Sequence, residues 1–188
     1  MNIVVKMLLT LVIVGIISGA SLSEISNWAE PKIAEHRKRD TEKAIFLVQK
    51  DAKSYEKIED APFELYTVAD EQGNMIGYAL PFEGNGFQGK VRIMMGIDIE
   101  ITKILAIEVL EQVETPGLGT KITEEPFTKQ FLGLNCNPNI ESVKGAPPSK
   151  DNQIQSITGA TISSVAVVKI MNEGLETLRK FKKSGEKS

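Results

Sequence analysis

An apolar run at the N-terminus, over residues 3–20, restricts the possible folds of this chain more than any other feature. Polar side chains interrupt it at only a few positions, among them Lys6, and a helical apolar pattern continues to Trp28. An apolar helix of about 18 to 25 residues can cross the hydrocarbon core of a bilayer, and tryptophan is favoured at the membrane interface. The run therefore predicts a transmembrane anchor over residues 1–28.

A cleaved signal peptide is the alternative interpretation of the same run. Lys6 would be its charged region, residues 7–17 its apolar core and residues 18–20 a small-residue cleavage site. The apolar pattern is longer than a typical signal core, which favours an uncleaved anchor. Basic residues are more numerous after the run than before it, but the positive-inside rule is weak where a large domain follows. The charge pattern alone therefore leaves the side of the membrane open.

The composition of the chain as a whole is that of an ordinary globular protein. Of the 188 residues, 41% are hydrophobic and 25% are charged, and the formal net charge of −3 gives no reason to expect a nucleic-acid partner. The single cysteine, Cys136, excludes an internal disulfide and an iron–sulfur cluster ligated by this chain's cysteines alone. We expect Cys136 to be a small buried hydrophobe. The single histidine, His36, lies in a charged run typical of a solvated helix face, so a zinc site is not expected.

The periodicity of the apolar residues predicts an α+β fold with a mainly antiparallel sheet. Residues 29–60 carry amphipathic helical patterns, which we interpret as a stalk that leads to a domain over residues 61–181. A turn-type cluster between two β-rich runs predicts a hairpin, and the next two runs are expected to form the middle of the sheet. The predicted strands lie at 64–69, 75–80, 90–97 and 104–110, a short helix at 123–131, a long helix from 161 onward, and a lysine-rich tail at 182–188.

Three glycine-containing loops fall between these elements. Their sequences are GNGFQG at residues 84–89, ETPGLG at residues 114–119 and TGAT at residues 158–161. Each of them alone is typical of a turn, because glycine allows backbone conformations that other residues avoid. GNGFQG is not a dinucleotide-binding fingerprint, since it precedes a strand and does not open a helix.

The TGAT segment lies at the start of the C-terminal helix and has the features of an anion site. The first turn of a helix presents unpaired backbone N–H groups and the positive end of the macrodipole, which together attract a phosphate. Gly159 and Ala160 let a bulky group approach the backbone, and Thr161 adds a hydroxyl at the same place. An ordinary helix cap is the alternative, since threonine and serine are favoured there.

In order and spacing, the three loops and the elements around them resemble a known family. Residues 75–181 are similar to the FMN-binding domain of the G subunit of Rnf-type ion-translocating ferredoxin:NAD oxidoreductases. The C subunit of the Na⁺-translocating NADH:quinone reductase shares this domain. The preceding anchor and stalk also resemble the family. Any one motif is common by accident, but the three in series are specific.

The resemblance implies a covalently bound FMN. In the family, a dedicated flavin transferase that uses FAD esterifies the last threonine of the [S/T]GAT motif, here Thr161, to the FMN phosphate. A phosphodiester keeps one negative charge, which the helix start can stabilise, with serine hydroxyls as further donors. The ETPGLG loop is where the family holds the isoalloxazine ring. The predicted cofactor-binding residues are Thr158, Gly159, Ala160, Thr161, Ser163 and Ser164 at the helix start, and Glu114, Thr115, Leu118, Gly119 and Thr120 in the ETPGLG loop.

One position departs from the family pattern. Members of the family usually carry aspartate three residues before the [S/T]GAT motif, where this chain has Gln155. Because that acid is part of what the transferase recognises, we expect attachment to be slower here, or to depend on a transferase with a different preference.

The resemblance implies an electron-transfer subunit that is not catalytic alone. It would act within a membrane-bound Rnf-type complex that couples ferredoxin:NAD⁺ electron transfer to Na⁺ or H⁺ translocation, with other membrane and peripheral subunits as partners. The family places the flavin domain on the extracytoplasmic side of the cytoplasmic (inner) membrane. Three alternatives remain open: a C-type subunit of the quinone reductase, a membrane-tethered reductase with a soluble acceptor, and a non-redox binding or assembly module.

Overall fold

The computed structural model describes residues 2–185 and has the α+β fold that the sequence predicts, with a long N-terminal apolar helix before a mainly antiparallel sheet. The chain divides into two compact units, one that ends at Asp40 and one that begins at Thr41. The helices and strands, in chain order, are α1 (Ile3–Val48), β1 (Ser54–Lys57), β2 (Tyr66–Ala69), β3 (Met75–Asn85), β4 (Lys90–Asp98), β5 (Lys103–Glu111), α2 (Glu125–Thr128), β6 (Leu134–Asn135), β7 (Glu141–Val143), β8 (Gln153–Gln155) and α3 (Thr161–Gly185), with 3₁₀ turns at Gly119–Thr123 and Lys129–Phe131.

The first unit consists of the N-terminal part of helix α1. Its large apolar side chains, from Ile3 at 71% to Trp28 at 64%, are exposed. Within residues 2–185, α1 is the one helix whose length and composition suit a membrane span, and a signal sequence has the same features. His36 is exposed on this helix, and its ring contacts Arg39 at 2.8 Å.

The last two turns of α1 belong to the second unit and pack against the sheet. Ala44, Ile45 and Val48 are at most 2% exposed, because they share one helix face and meet apolar residues of β2, β3 and β4. Gln49 follows, and its buried amide donates to the carbonyl oxygens of Tyr78 and Ile97 at 3.0 and 3.1 Å. The structure thus divides the chain at Asp40, whereas the sequence placed the end of the stalk at residue 60.

The main sheet has six strands in the order β1-β2-β3-β4-β5-β6, and every neighbouring pair is antiparallel. The predicted hairpin is present as β2 and β3. The middle of the sheet is β3 and β4, however, and not β4 and β5 as the sequence suggested. The reason is that β2 and β1 lie outside β3 on one side, while β5 and the short strand β6 lie outside β4 on the other.

The two faces of the sheet carry separate cores. Val91, Ile93, Met95 and Ile97 of β4 are buried in the larger core, which α3 and α2 also line. Met94 points to the other face and is buried with the end of α1. This alternation follows from the two-residue period of a strand. Helix α3 therefore lies on one face of the sheet, and its buried apolar residues between Val167 and Leu178 are part of the larger core. This packing fixes the position of its first turn.

Cys136 is fully buried, as the sequence predicted. Burial raises the pKa of its thiol to about 11. The Arg179 guanidinium donates to the Cys136 carbonyl oxygen at 2.8 Å and ties this segment to α3. Helix α3 continues to Gly185, so Lys182 and Lys183, which the sequence assigned to a tail, are helical. The last three predicted tail residues, 186–188, lie outside the described residues.

Candidate functional site

The three glycine-containing loops meet beside the first turn of α3. The GNGFQG loop is the tight connection between β3 and β4, closed by a hydrogen bond from the Gly86 N–H to the Gly89 carbonyl oxygen at 2.7 Å. The ETPGLG loop follows β5, and the TGAT segment follows β8 and leads directly into α3. The side chain of Glu114 joins the first two loops to this helix start.

Glu114 is a buried carboxylate that contacts all three segments. It is 3% exposed. Its Oε1 accepts hydrogen bonds from the backbone N–H groups of Phe87 and Gln88 at 2.6 and 3.2 Å. Its Oε2 accepts a hydrogen bond from the Ser163 hydroxyl at 2.5 Å. A buried carboxylate is costly unless it is hydrogen-bonded, and here both oxygens are.

Two glycines make room for this carboxylate. A Cβ atom on Gly86 would lie 2.3 Å from Glu114 Oε1. A Cβ atom on Gly119 would lie 2.8 Å from the Glu114 Cβ and 3.0 Å from the Ser163 Oγ. Any side chain at either position would displace the contacts just described. The glycines of two loops therefore serve close packing around Glu114 in addition to forming turns.

The start of α3 lacks a side-chain cap from the residue that precedes it. Ala160 holds the cap position, because its carbonyl oxygen accepts the first helical hydrogen bond, from the Ser164 N–H at 3.0 Å. Alanine has no side-chain acceptor, so it cannot satisfy the N–H groups of the first turn, which lie outside the helical hydrogen-bond ladder. Gly159 has a φ of +87°, which only glycine adopts without strain, and it sets the turn into the helix. Thr161 is the first helical residue and is partly exposed.

The two serines of the first turn have structural partners. Each hydroxyl has one proton to donate. Ser163 donates its proton to Glu114, and Ser164 donates to the Ala160 carbonyl oxygen at 2.9 Å. Ser164 also accepts a hydrogen bond from the Ile157 N–H at 3.0 Å. The sequence interpretation expected both hydroxyls to be available to a phosphate, whereas in this structure each of them donates its proton within the protein.

The rest of the ETPGLG loop is held by its own hydrogen bonds. The Thr115 carbonyl oxygen accepts from the N–H groups of Leu118 and Thr120, both at 3.2 Å. The Thr120 hydroxyl oxygen accepts from the Gly117 N–H at 3.0 Å. These bonds turn the Leu118 side chain outward, where it is 48% exposed and lies 3.5 Å from the position of a Cβ on Gly159.

The surface around this junction suits a flat aromatic group. Large apolar side chains are exposed next to the contacts between the loops. A Cβ on Gly89 would lie 2.3 Å from Val113 Cγ2, which places Val113 against the GNGFQG loop. The exposed apolar residues beside the junction are Phe87, Val113, Leu118 and Ile162. A ring of the size of isoalloxazine would cover apolar surface here that otherwise faces water, so the residues present fit a flavin.

A cleft of about 300 Å³ opens on the other side of Thr158, which is exposed. Gln130, Gln155, Lys121 and Glu124 contribute to its lining. The Gln130 amide binds the backbone of Gln155 twice, by accepting from its N–H at 2.7 Å and donating to its carbonyl oxygen at 3.2 Å. The Gln155 side chain remains exposed, three residues before the TGAT segment.

The structure thus brings Glu114, Leu118 and Gly119 of one loop beside Gly159 and Ser163, while Thr115 and Thr120 bond within their own loop. It also adds donors that the sequence interpretation missed. Those donors are the backbone N–H groups of Phe87 and Gln88. The GNGFQG motif was the available signal, but backbone donors carry no residue signature, so their acceptor could not be assigned from sequence.

The comparison with known proteins identifies an FMN-binding domain in this chain. A family model described as "FMN-binding domain" matches residues 86–176. The matched range includes Glu114, Thr161 and the turn at Gly86, which are the residues that meet at the start of α3.

Two relatives are G subunits of ion-translocating complexes. The G subunit of the ion-translocating oxidoreductase complex of Methanosarcina acetivorans is 33% identical over 59% of this chain and 56% of its own length. The G subunit of the Na⁺-translocating ferredoxin:NAD⁺ oxidoreductase complex of Acetobacterium woodii is 32% identical over 70% of this chain and 67% of its own length. The chain therefore spans little more than half of the archaeal relative and two thirds of the bacterial one. It belongs to the FMN-binding domain family of Rnf-type G subunits and NADH:quinone reductase C subunits.

A solved structure shares the fold. The crystal structure of the C subunit of Na⁺-translocating NADH-quinone reductase from Parabacteroides distasonis superposes with a TM-score of 0.63 at 18% identity, over 79% of this chain and 94% of that chain. At this identity the likeness concerns the fold. The family and the fold that the sequence predicts are thus both confirmed.

Proposed function

We propose that this chain is a single-pass membrane subunit that carries FMN covalently on Thr161 and transfers electrons within an Rnf-type complex. The observation that carries the proposal is the junction of the three glycine-containing loops at a helix start without a side-chain cap, where Thr161 is the first helical residue. The names of its relatives support a complex that couples ferredoxin:NAD⁺ electron transfer to the translocation of Na⁺ or H⁺.

The residues around Thr161 suit an esterified phosphate. Its hydroxyl oxygen would form the bond to phosphorus, and Gly159 and Ala160 leave space for the phosphate beside the backbone. The phosphodiester would keep one negative charge, which the N–H groups of the first turn and the helix macrodipole stabilise by about 0.3–1 kcal/mol at an exposed site. Leu118 and its apolar neighbours would cover one face of the ring. FMN, when bound, supplies the ability to accept and release electrons.

The remaining parts of the proposal concern the membrane and the partners. Helix α1 would anchor the chain by its exposed apolar residues, and the flavin-bearing domain would lie on the extracytoplasmic side of the cytoplasmic membrane. A flavin transferase would attach FMN from FAD. Electrons would pass to and from other membrane and peripheral subunits, and those subunits would move the ion, since residues 3–20 contain no acidic residue that could bind it.

The attachment can be tested with two threonines of the same segment. The full chain, Thr161→Ala and Thr158→Ala are each produced with a flavin transferase of an Rnf-containing organism and purified in detergent. We expect fluorescence of the denatured protein on a gel under ultraviolet light, and an intact mass increased by one FMN less one water, for the full chain and for Thr158→Ala. Thr161→Ala should show neither. Thr161→Ser keeps a hydroxyl at the same place and should retain part of the label.

The outcomes separate the proposal from its alternatives. Absence of the added mass from both the wild-type chain and Gln155→Asp would refute covalent attachment and favour a non-redox binding or assembly module. If Thr158→Ala abolishes the label and Thr161→Ala keeps it, the attachment site is Thr158 and not Thr161. Co-purification from native membranes identifies the partners: Rnf-type subunits support the proposal, quinone reductase subunits support a C-type role, and the absence of both supports a reductase with a soluble acceptor.

A further inference from the structure

Glu114 is the one acidic side chain in the buried class among residues 2–185. The groups that donate to its oxygens are two backbone amides and one hydroxyl, all of them uncharged. These donors stabilise the carboxylate without cancelling its charge. A buried negative charge therefore lies directly beneath the first turn of α3, since Ser163, which contacts it, is two residues after Thr161 in the same turn.

We propose that Glu114 is the positioning residue of the flavin site and that its buried charge lowers the reduction potential of the flavin. This inference rests on the proposed function, because it concerns FMN held at Thr161. It differs from the role that the sequence suggested for Glu114, which was direct contact with the ring. At 3% exposure, the carboxylate is directed into the protein and acts through the loops that it holds.

The positioning role follows from the contacts. Phe87 and Gln88 belong to the GNGFQG loop, Glu114 opens the ETPGLG loop, and Ser163 belongs to α3. Without an acceptor at position 114, the two N–H groups and the Ser163 hydroxyl lose a common partner. The exposed apolar side chains of Phe87 and Leu118, which flank the junction, would then lose their fixed relation to α3.

The electrostatic role follows from the burial. Two negative charges, the carboxylate and a phosphodiester, would share one helix start. The carboxylate takes its donors from another loop and from a side chain, so the backbone N–H groups of α3 stay available for the phosphate. Adding an electron to a flavin near a fixed negative charge is unfavourable, and water and salt screen a buried charge less than an exposed one. The carboxylate should therefore make the flavin harder to reduce.

Glu114→Gln tests the charge with little change of shape. The glutamine oxygen can accept the two N–H groups, and its amide can donate to the Ser163 oxygen. Glu124→Gln is the matched control, since Glu124 is exposed and lines the cleft beside Thr158. The midpoint potential of covalently bound FMN is measured by spectroelectrochemical titration of the full chain in detergent. We expect Glu114→Gln to keep its FMN and to shift the potential to more positive values, by more than Glu124→Gln does.

Glu114→Ala tests the positioning without the cofactor. Amide hydrogen exchange is compared between this variant and the wild type in the Thr161→Ala background, which would carry no flavin. We expect faster exchange at residues 86–88 and in the first turn of α3, and unchanged exchange in the distant β1–β2 hairpin. Glu114→Gln should stay close to the wild type in the same measurement, so a global folding defect of the alanine variant can be recognised.

The outcomes distinguish this inference from the proposed function. Absence of FMN from both the wild-type chain and Gln155→Asp overturns the proposed function and the effect on potential, while the exchange experiment still decides the positioning role. A flavin-bearing Glu114→Gln variant with an unchanged or more negative potential overturns the electrostatic role. Unchanged exchange at residues 86–88 in Glu114→Ala overturns the positioning role.

Discussion

Replacing Ser164 by alanine distinguishes a structural serine from a phosphate donor. Ser164 is fully buried, and its hydroxyl accepts a hydrogen bond from the Ile157 N–H at 3.0 Å while donating to the Ala160 carbonyl oxygen at 2.9 Å. The Ala160 oxygen keeps a second donor, the Ser164 N–H. The Ile157 N–H loses the acceptor that the structure gives it. The variant therefore leaves one half-buried donor without its partner.

The expected loss of folding stability follows from the Ile157 N–H alone. An unsatisfied buried group costs about 1–3 kcal/mol. Ile157 is half-buried, so water can reach part of this site, and alanine improves helix propensity by up to about 0.5 kcal/mol. We therefore expect a net loss of about 1–2 kcal/mol. For a unit of about 150 residues, this lowers the melting temperature by about 3–6 °C.

Thermal unfolding of four chains in the same detergent measures this effect and its origin. Ser164→Ala is compared with its parent both in the flavin-bearing chain and in the Thr161→Ala background. If Ser164 has a structural role, Ser164→Ala lowers the melting temperature by the same amount in the flavin-bearing chain and in the Thr161→Ala background. Thr177→Ala is the matched control, since its hydroxyl makes the same type of bond, to the Glu173 carbonyl oxygen at 2.8 Å, but at an exposed position. We expect Thr177→Ala to change the stability by less than about 0.5 kcal/mol.

Two results would contradict this reasoning. If Ser164→Ala lowers the melting temperature of the flavin-bearing chain alone, Ser164 donates to the phosphate, as the sequence first suggested. A decrease no larger than that of Thr177→Ala in both backgrounds would mean that the Ile157 N–H has another partner. In the first case the proposed phosphate site would have to include the Ser164 hydroxyl, and in the second the expected cost of losing this hydroxyl would be wrong.

Two further predictions concern positions outside the junction. Gln155→Asp restores the residue typical of the family at an exposed position beside Thr158, so we expect FMN to be attached faster than in the wild-type chain. Gel fluorescence measured against time gives the rate of attachment. An equal or lower rate would contradict a role of this side chain in recognition by the transferase. Cys136 should resist alkylation in the native chain at neutral pH and react fully after denaturation, because burial excludes the reagent and raises the pKa of the thiol to about 11, which disfavours the reactive thiolate. Rapid labelling of the native chain by iodoacetamide, detected by mass, would show that the segment around Cys136 opens.

Strands β2 to β5 could be predicted from local sequence, and β4 shows the clearest two-residue pattern. Val91, Ile93, Met95 and Ile97 alternate with more polar residues, and the structure buries all four in one core. The start of α3 was also predictable, since glycine precedes it and apolar residues recur at helical spacing after it. The patterns missed β1, the short strands β6 to β8 and the packing of the end of α1. The buried face of this helix end is specified by residues of β2, β3 and β4, so no local signal separates it from an exposed stalk.

The candidate site was predictable as a set of segments but not as a network of contacts. Loop sequences report which residues can turn or leave space, and the TGAT and ETPGLG segments were identified in this way. They do not report where a side chain points. Glu114 was predicted as a cofactor-binding residue, but its sequence context gave no sign that its carboxylate is buried. The hydroxyl protons of Ser163 and Ser164, which were also predicted to serve the cofactor, are used within the protein. The burial of Glu114 depends on a contact between residues 49 positions apart in the chain, which no short pattern contains.

The contacts also give a reason why three loops would be needed if the site held one phosphate and one ring. A helix start offers roughly half a positive charge, which one anion largely uses. The buried carboxylate at Glu114 would compete for it if α3 supplied its donors. Two of the three donors to the Glu114 carboxylate are the backbone N–H groups of Phe87 and Gln88, in the turn between β3 and β4. The third donor is the hydroxyl of Ser163. The carboxylate and a phosphate would therefore use separate donors. The same contacts fix the ETPGLG loop against α3, and the apolar Leu118 is thereby held beside the segment that would carry the phosphate.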